Sequence, residues 1–310
     1  MSKPSKSKPS KTRVERLSPS RGPRSPDVWG LYDPPTGSAQ YVVACPTTRK
    51  AALVDIVQGF DPRSFATDRE AIEQTIALVE REGLDVAWVL DTHPHADHLT
   101  ASAILADRYG VPNAIGERTR AIAELWRDIY HLPDAFDVAR HYARLFANGE
   151  TFVLGDLSVR VVLSTGHTLG SISYLVGEDA ALAHDTLMQP DRGTARCDFP
   201  GGSAAEQWDS IQALLALPPE TRLFVGHDYP NEAREEPRWE ASVAEHRAAN
   251  VHVREGTRRE DWIAIRESRD ATLPLPDRML AALQVNLRAG RLPPAEADGR
   301  HYLKMPVDRF

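Results

Sequence analysis

The string His93-Pro94-His95-Ala96-Asp97-His98 constrains this chain more than any other feature. Imidazole and carboxylate groups crowded so closely are the donor types that hold zinc and iron. An apolar run at 86–90 precedes the string and reads as a short buried strand. A helical pattern at 99–109 follows it and stops at Gly110. In extended backbone, side chains at i, i+2 and i+4 face one way. His93, His95 and Asp97 are therefore expected to converge, and His98 joins them only if the chain turns. One loop does not complete a metal site, and other strand ends supply candidates. His167 follows the run 157–163 between Gly166 and Gly170, where glycines let the backbone turn closely. Asp185 follows 180–183, and His227 follows 221–225 within Gly226-His227-Asp228-Tyr229. Four short apolar strands thus end in His or Asp, which is how sheet proteins gather a site.

The rest of the chain bounds the class. It has 310 residues, enough for a sizeable core, and 42% hydrophobic against 26% charged residues, as in a soluble globular protein. No apolar run is long enough for a membrane-spanning helix, and no apolar segment of signal-peptide type follows the start. Two cysteines outside any CxxC pairing fit a reducing compartment, so a cytoplasmic location is expected. Residues 1–26 are rich in Lys, Arg, Ser and Pro and are expected to form a disordered basic tail. The remaining body is acidic, which argues against a nucleic-acid partner. Thr67 with Glu70, and Ser203 with Glu206, suggest capping boxes opening helices over 67–82 and 203–217. Hairpins are expected at 151–163 around Gly155-Asp156, and at 172–183. Helical segments near 235–249, 257–270 and 276–289 close the chain. Strands and helices alternate, so one α/β domain over 27–232 with a helical extension over 233–310 packed on it is the simplest organisation. The extension is expected to serve as core or as the surface of a homodimer. Cys197 reads as a packed thiol. His131, His141, His246, His252 and His301 have no partner motif.

Taken together, Thr92 to His98, Gly166-His167-Thr168, Asp185 and Gly226-His227 closely resemble the metallo-β-lactamase superfamily. That resemblance covers about 30–232. It implies an αβ/βα sandwich: two mixed sheets packed face to face between outer helices, with metal at one sheet edge. Within the superfamily, Leu99 stands where glyoxalase II-like members usually have glycine. Arg196-Cys197-Asp198-Phe199-Pro200-Gly201-Gly202, followed by a helix with Trp208 and Ser210, resembles the Arg-x-Asp-Phe segment of persulfide dioxygenases. His227-Asp228-Tyr229 is similar to that subfamily too, and the β-lactamase-hydrolase-like branch linked to sulfide detoxification is similar as well.

The persulfide dioxygenase resemblance implies one Fe(II) per chain on His93, His167 and Asp185, two histidines and a carboxylate with open positions. His95, Asp97, His98 and His227 would then support the ligands, with Asp97, His98 and His227 as the catalytic groups. Arg196 and Tyr229 would face the substrate, a small thiol persulfide such as glutathione persulfide, which O2 oxidises to sulfite. The superfamily resemblance also allows a two-zinc site. His93, His95 and His167 would hold one ion, Asp97, His98 and His227 the other, with Asp185 bridging. Such a site hydrolyses a thioester, lactone or phosphoester. A scaffold or sensor with lost chemistry is disfavoured by the full ligand set. A nuclease is disfavoured by the acidic body and the missing insertion domain.

Overall fold

The computed structural model describes residues 13–230 and 234–310. Antiparallel strands β1 (Val14–Ser18), β2 (Asp27–Asp33), β3 (Ser38–Ala44) and β4 (Lys50–Val54) open the chain. Next come β5 (Val57–Phe60), β6 (Thr67–Asp68), α1 (Glu70–Arg81), β7 (Asp85–Leu90), β8 (Leu99–Thr100), α2 (Ser102–Tyr109), β9 (Asn113–Gly116), α3 (Thr119–Tyr130), α4 (Val138–His141) and β10 (Arg144–Phe146). The second half comprises β11 (Thr151–Leu154), β12 (Leu157–Leu163), β13 (Ile172–Val176), β14 (Ala180–His184), α5 (Ala204–Leu215), β15 (Arg222–Val225), β16 (Glu240–Ser242), α6 (Val243–Ala249), α7 (Arg259–Asp270) and α8 (Met279–Asn286). Among the described residues these strands form a seven-stranded sheet, β1-β2-β3-β4-β7-β9-β10, a six-stranded sheet, β11-β12-β13-β14-β15-β16, and a small three-stranded sheet, β6-β5-β8. The two larger sheets are mixed, since β4, β7, β9 and β10 run parallel, as do β14 and β15.

Alternation along β2 and β3 explains the layering. Val28, Tyr32, Tyr41 and Val43 point inward and meet Val159, Val161, Tyr174 and Phe224 of the other sheet. Trp29, Leu31 and Val42 point outward and are covered by Ile72, Ile76, Val79 and Leu105 of α1 and α2. Strands buried on both faces need this double apolar pattern. On the far side, Trp208, Ile211 and Leu214 of α5 and Trp262 of α7 join the inter-sheet core. The architecture is thus the expected sandwich with outer helices.

Strand direction fixes where the site lies. Strand β12 is antiparallel to β13, β13 to β14, and β14 is parallel to β15. The C-terminal ends of β12, β14 and β15 therefore share one edge. Strands β4 and β7, parallel to each other, bring their own C-terminal ends to the same site through Asp55 and the 91–98 loop.

Several local expectations need correction. The tail is not disordered through residue 26. Val14–Ser18 pair along β2, Arg13 bonds Asp33 at 3.0 Å, and Arg16 lies over the Trp239 ring. Beneath the following turn, buried Arg222 donates to Ser18 Oγ at 2.9 Å and Ser25 Oγ at 3.0 Å. These partners lie far along the chain, and local composition does not reveal them. The part of that tail before residue 13 lies outside the described residues, as does the boundary placed at 232. The capping box at Thr67 is absent, because Thr67–Asp68 pair with β5. The first helix starts at Glu70, whose N–H is accepted by Asp68 Oδ1 at 3.0 Å. Ser203 does cap α5, accepting from Glu206 N at 3.3 Å. The helix expected from 235 begins only at Val243, because Glu240–Ser242 pair with β15. Among the described residues no helix is long and apolar enough to cross a membrane.

Candidate metal centre

All seven predicted metal-site residues come together at the shared strand edge. The 93–98 segment follows β7, His167 follows β12, Asp185 follows β14 and His227 follows β15. Two glycines let the backbone approach. Gly166 has φ of +120°, and a Cβ there would lie 2.1 Å from Gln207 N. A Cβ on Gly226 would lie 2.4 Å from Asp185 Oδ1.

Two imidazole nitrogens approach one carboxylate oxygen. His93 Nε2 lies 3.6 Å and His167 Nε2 3.5 Å from Asp185 Oδ2. Each ring is anchored by its other nitrogen, His93 Nδ1 at 3.0 Å from Thr92 Oγ1 and His167 Nδ1 at 2.7 Å from the Arg196 carbonyl. His93 Nε2 is buried and has no hydrogen-bond partner. A buried nitrogen left bare, beside an ionised carboxylate and a second oriented imidazole, is the donor set a metal ion requires. Protonation agrees with this. Burial, and then the neighbouring histidines, hold His93 well below the usual imidazole range. Burial likewise lowers His167. Burial pushes Asp185 up, but His227 and His167 outweigh it and keep the carboxyl below its usual range. Neutral imidazoles and an ionised carboxylate are the states in which these groups bind metal.

The other four residues sit behind and beside this trio. His95 stacks on His98 with ring centroids 4.1 Å apart. His95, Asp97 and His98 also offer ligand atoms within 4.8 Å of one another, as do His93, His95 and Asp185. The 93–98 segment is therefore bent rather than extended, and the simple alternation expected for it does not hold. His227 bridges two carboxylates, with Nδ1 2.6 Å from Asp185 Oδ1 and Nε2 2.6 Å from Asp97 Oδ2. Burial opposes a charge on His227, yet Asp185 and Asp97 hold its pKa well above the usual value.

A cavity of about 250 Å³ opens onto Asp97, His167, Asp185 and His227. Arg196 lines it, but its guanidinium does not face an empty space. Nε and Nη2 bond Asp198 at 2.6 and 2.7 Å, and Nη1 bonds the Pro274 carbonyl at 2.7 Å. The Arg196 backbone carbonyl accepts from His167 Nδ1 and so orients that ring. Tyr229 does line the cavity and lies over His227, with ring planes 14° apart. Cys197 is buried against Asp270, and burial pushes its thiol up to about 12, in keeping with a packed residue.

Sequence reading missed four contributors. Asp55, at the end of β4, accepts from Thr92 N and Oγ1 at 2.8 Å each and lies 3.0 Å from His95 Nε2. Its signal was present: like the four ligand strands, an apolar run ends in a carboxylate. Ser38 Oγ lies 3.0 Å from His227 Nε2. Arg192 and Arg269 line the cavity, Arg192 donating to the Tyr229 carbonyl. Arg269 is exposed and, among the described residues, makes no ion pair. Nothing local marked these arginines among the chain's many others.

The geometry defines an α/β sandwich with a His/Asp cluster able to hold a metal ion, and residues 34–227 match the metallo-beta-lactamase superfamily. The chain belongs to that superfamily. It is 50% identical to a beta-lactamase hydrolase-like protein of Xylella fastidiosa, over 92% of this chain and 65% of that protein. The chain thus spans somewhat less than two-thirds of the length of the first such relatives. It is 41% identical to a probable metallo-hydrolase of Burkholderia pseudomallei, over 91% of this chain and 99% of that one. Among solved structures, ETHE1 from Myxococcus xanthus superposes with a TM-score of 0.68 at 29% identity, covering 85% of this chain and 99% of that one.

Proposed function

We propose that the chain is a mononuclear non-haem iron dioxygenase that oxidises a small thiol persulfide, glutathione persulfide in the first instance, with O2 and water to sulfite and the free thiol. The observation carrying this reading is the division of labour at the centre. His93 Nε2 and His167 Nε2 lie 3.6 and 3.5 Å from the same oxygen, Asp185 Oδ2, whereas the Asp97 carboxylate is tied to His227 at 2.6 Å. Two histidines and one carboxylate are the ligand set of non-haem Fe(II) oxygenases. An iron held there supplies open coordination positions and the redox capacity for O2 chemistry. The resemblance of Arg196 to Phe199 to persulfide dioxygenases supports the same choice.

The residues of the chain do the rest. Met188, Phe199 and Leu273 give the cavity an apolar wall suited to a soft sulfur. Arg269 lines the cavity, where a guanidinium fork meets the carboxylates of a glutathione-like carrier. His227, between Asp97 and Asp185, holds a proton beside the reacting sulfur. Arg269→Ala is expected to raise KM for the persulfide roughly tenfold, with kcat and metal content unchanged, because the lost contact binds ground and transition states alike. Steady-state kinetics at varied persulfide checks this.

A two-zinc hydrolase is the second reading. The proximity of His95, Asp97 and His98 ligand atoms favours it, and the name of the Burkholderia relative is consistent with it. Elemental analysis of protein purified with and without air separates the two. About one iron per chain is expected. Two zinc ions per chain and no iron would reverse the choice.

A further inference from the structure

The loop that carries three of the histidines owes its bend to a residue nearly two hundred positions away. Asn286, fully buried at the end of α8, donates through Nδ2 to the carbonyls of His95 at 2.7 Å and His98 at 2.8 Å. Its Oδ1 accepts from Thr100 N at 2.9 Å. One side-chain amide thereby satisfies backbone groups on both sides of Asp97. A second strap runs alongside. Tyr142 donates to Asp91 Oδ2 at 2.7 Å and lies 3.3 Å from the Asn286 carbonyl, while Thr100 Oγ1 donates to Asp91 Oδ1 at 2.8 Å. Helix α8 lies outside the residues matched to the superfamily, which end at 227.

We infer that Asn286 is a positioning residue for the metal centre: its amide fixes the 95–98 turn and thereby sets the affinity of the histidine cluster for a metal ion. Buried carbonyls demand donors, so the turn keeps this shape only while both are satisfied. The turn is what brings His98 onto His95 and aims Asp97 at His227. Without it, extended backbone would send His98 to the opposite side. Partners of this kind behind a ligand loop act on affinity through geometry. The inference rests on metal binding at the cluster and is independent of the choice between iron and zinc.

The test is a titration of the full chain with Co(II) and with Zn(II) against a chelating dye, alongside the Tm of the metal-free protein. Asn286→Asp preserves volume and the acceptor for Thr100 while replacing the donors to the two carbonyls. Its affinity is expected to fall about 10–100-fold, with a changed visible absorption of the Co(II) form. Val285→Ala, the neighbouring buried apolar residue, is expected to lower Tm and leave affinity and absorption unchanged. Should Asn286→Asp fail to fold, Asn286→Ser reaches at most one carbonyl and is expected to show a measurable loss of affinity. Wild-type affinity in the folded Asn286 variant, or an equal loss in Val285→Ala, overturns the inference. A wild-type chain that binds neither ion overturns the metal reading of the cluster itself, and this inference with it.

Discussion

Alanine at His93, His167 or Asp185 is expected to strip the metal from the chain and abolish turnover, whereas His98→Ala retains the metal and turns over about 10–100-fold more slowly. The contrast follows from the contacts. His93 and His167 each fix one nitrogen on a neighbour and present the other to Asp185 Oδ2. On the proposed ligand set, removing any of the three leaves two of its donors, and retention of the ion by His167→Ala would point instead to the grouping of His93, His95 and Asp185. Asp185→Ala does further damage, because it also frees His227 Nδ1, which is bonded to Asp185 Oδ1 at 2.6 Å. His98 instead anchors Nδ1 on the Leu99 carbonyl at 3.0 Å and stacks on His95. Its loss loosens the wall without opening the trio. Metal content by elemental analysis, measured together with activity, separates the two outcomes. Complete metal loss in His98→Ala would make His98 a direct ligand and support the two-metal site.

The clustering of these His and Asp residues was legible in the sequence because each follows an apolar strand. Hairpins over β11–β12 and β13–β14 were equally legible, since tight turns punctuate clear apolar runs. What stayed hidden depends on partners distant in sequence. Strand β1 is rich in charge, and its order comes from pairing with β2 and from Arg222 beneath the turn after it. Arg196 resembled a substrate contact, but its fork is taken by Asp198, two residues away, and by a carbonyl from the loop after α7. The bend at 95–98 violates the alternation of extended backbone because Asn286 satisfies its carbonyls from another helix. Side-chain bonds to backbone across such separations leave no periodic trace.

Oxygen consumption separates a dioxygenase from every hydrolase with this ligand set. Iron-loaded protein supplied with glutathione persulfide is expected to draw down O2 in an oxygen electrode and release sulfite in equal amount. Uptake should vanish when iron is removed by a chelator, when the persulfide is replaced by the plain thiol, and in His167→Ala. The all-or-none character follows from the proposed triad: with any of its three residues removed, that reading leaves no site at which sulfur and O2 meet. The cavity over Asp185 and His167 is about 250 Å³, room for a sulfur and part of its carrier. No O2 uptake by iron-loaded protein, together with rapid cleavage of a glutathione thioester or a lactone by the zinc-loaded form, would contradict the dioxygenase assignment and leave a metallo-hydrolase in its place.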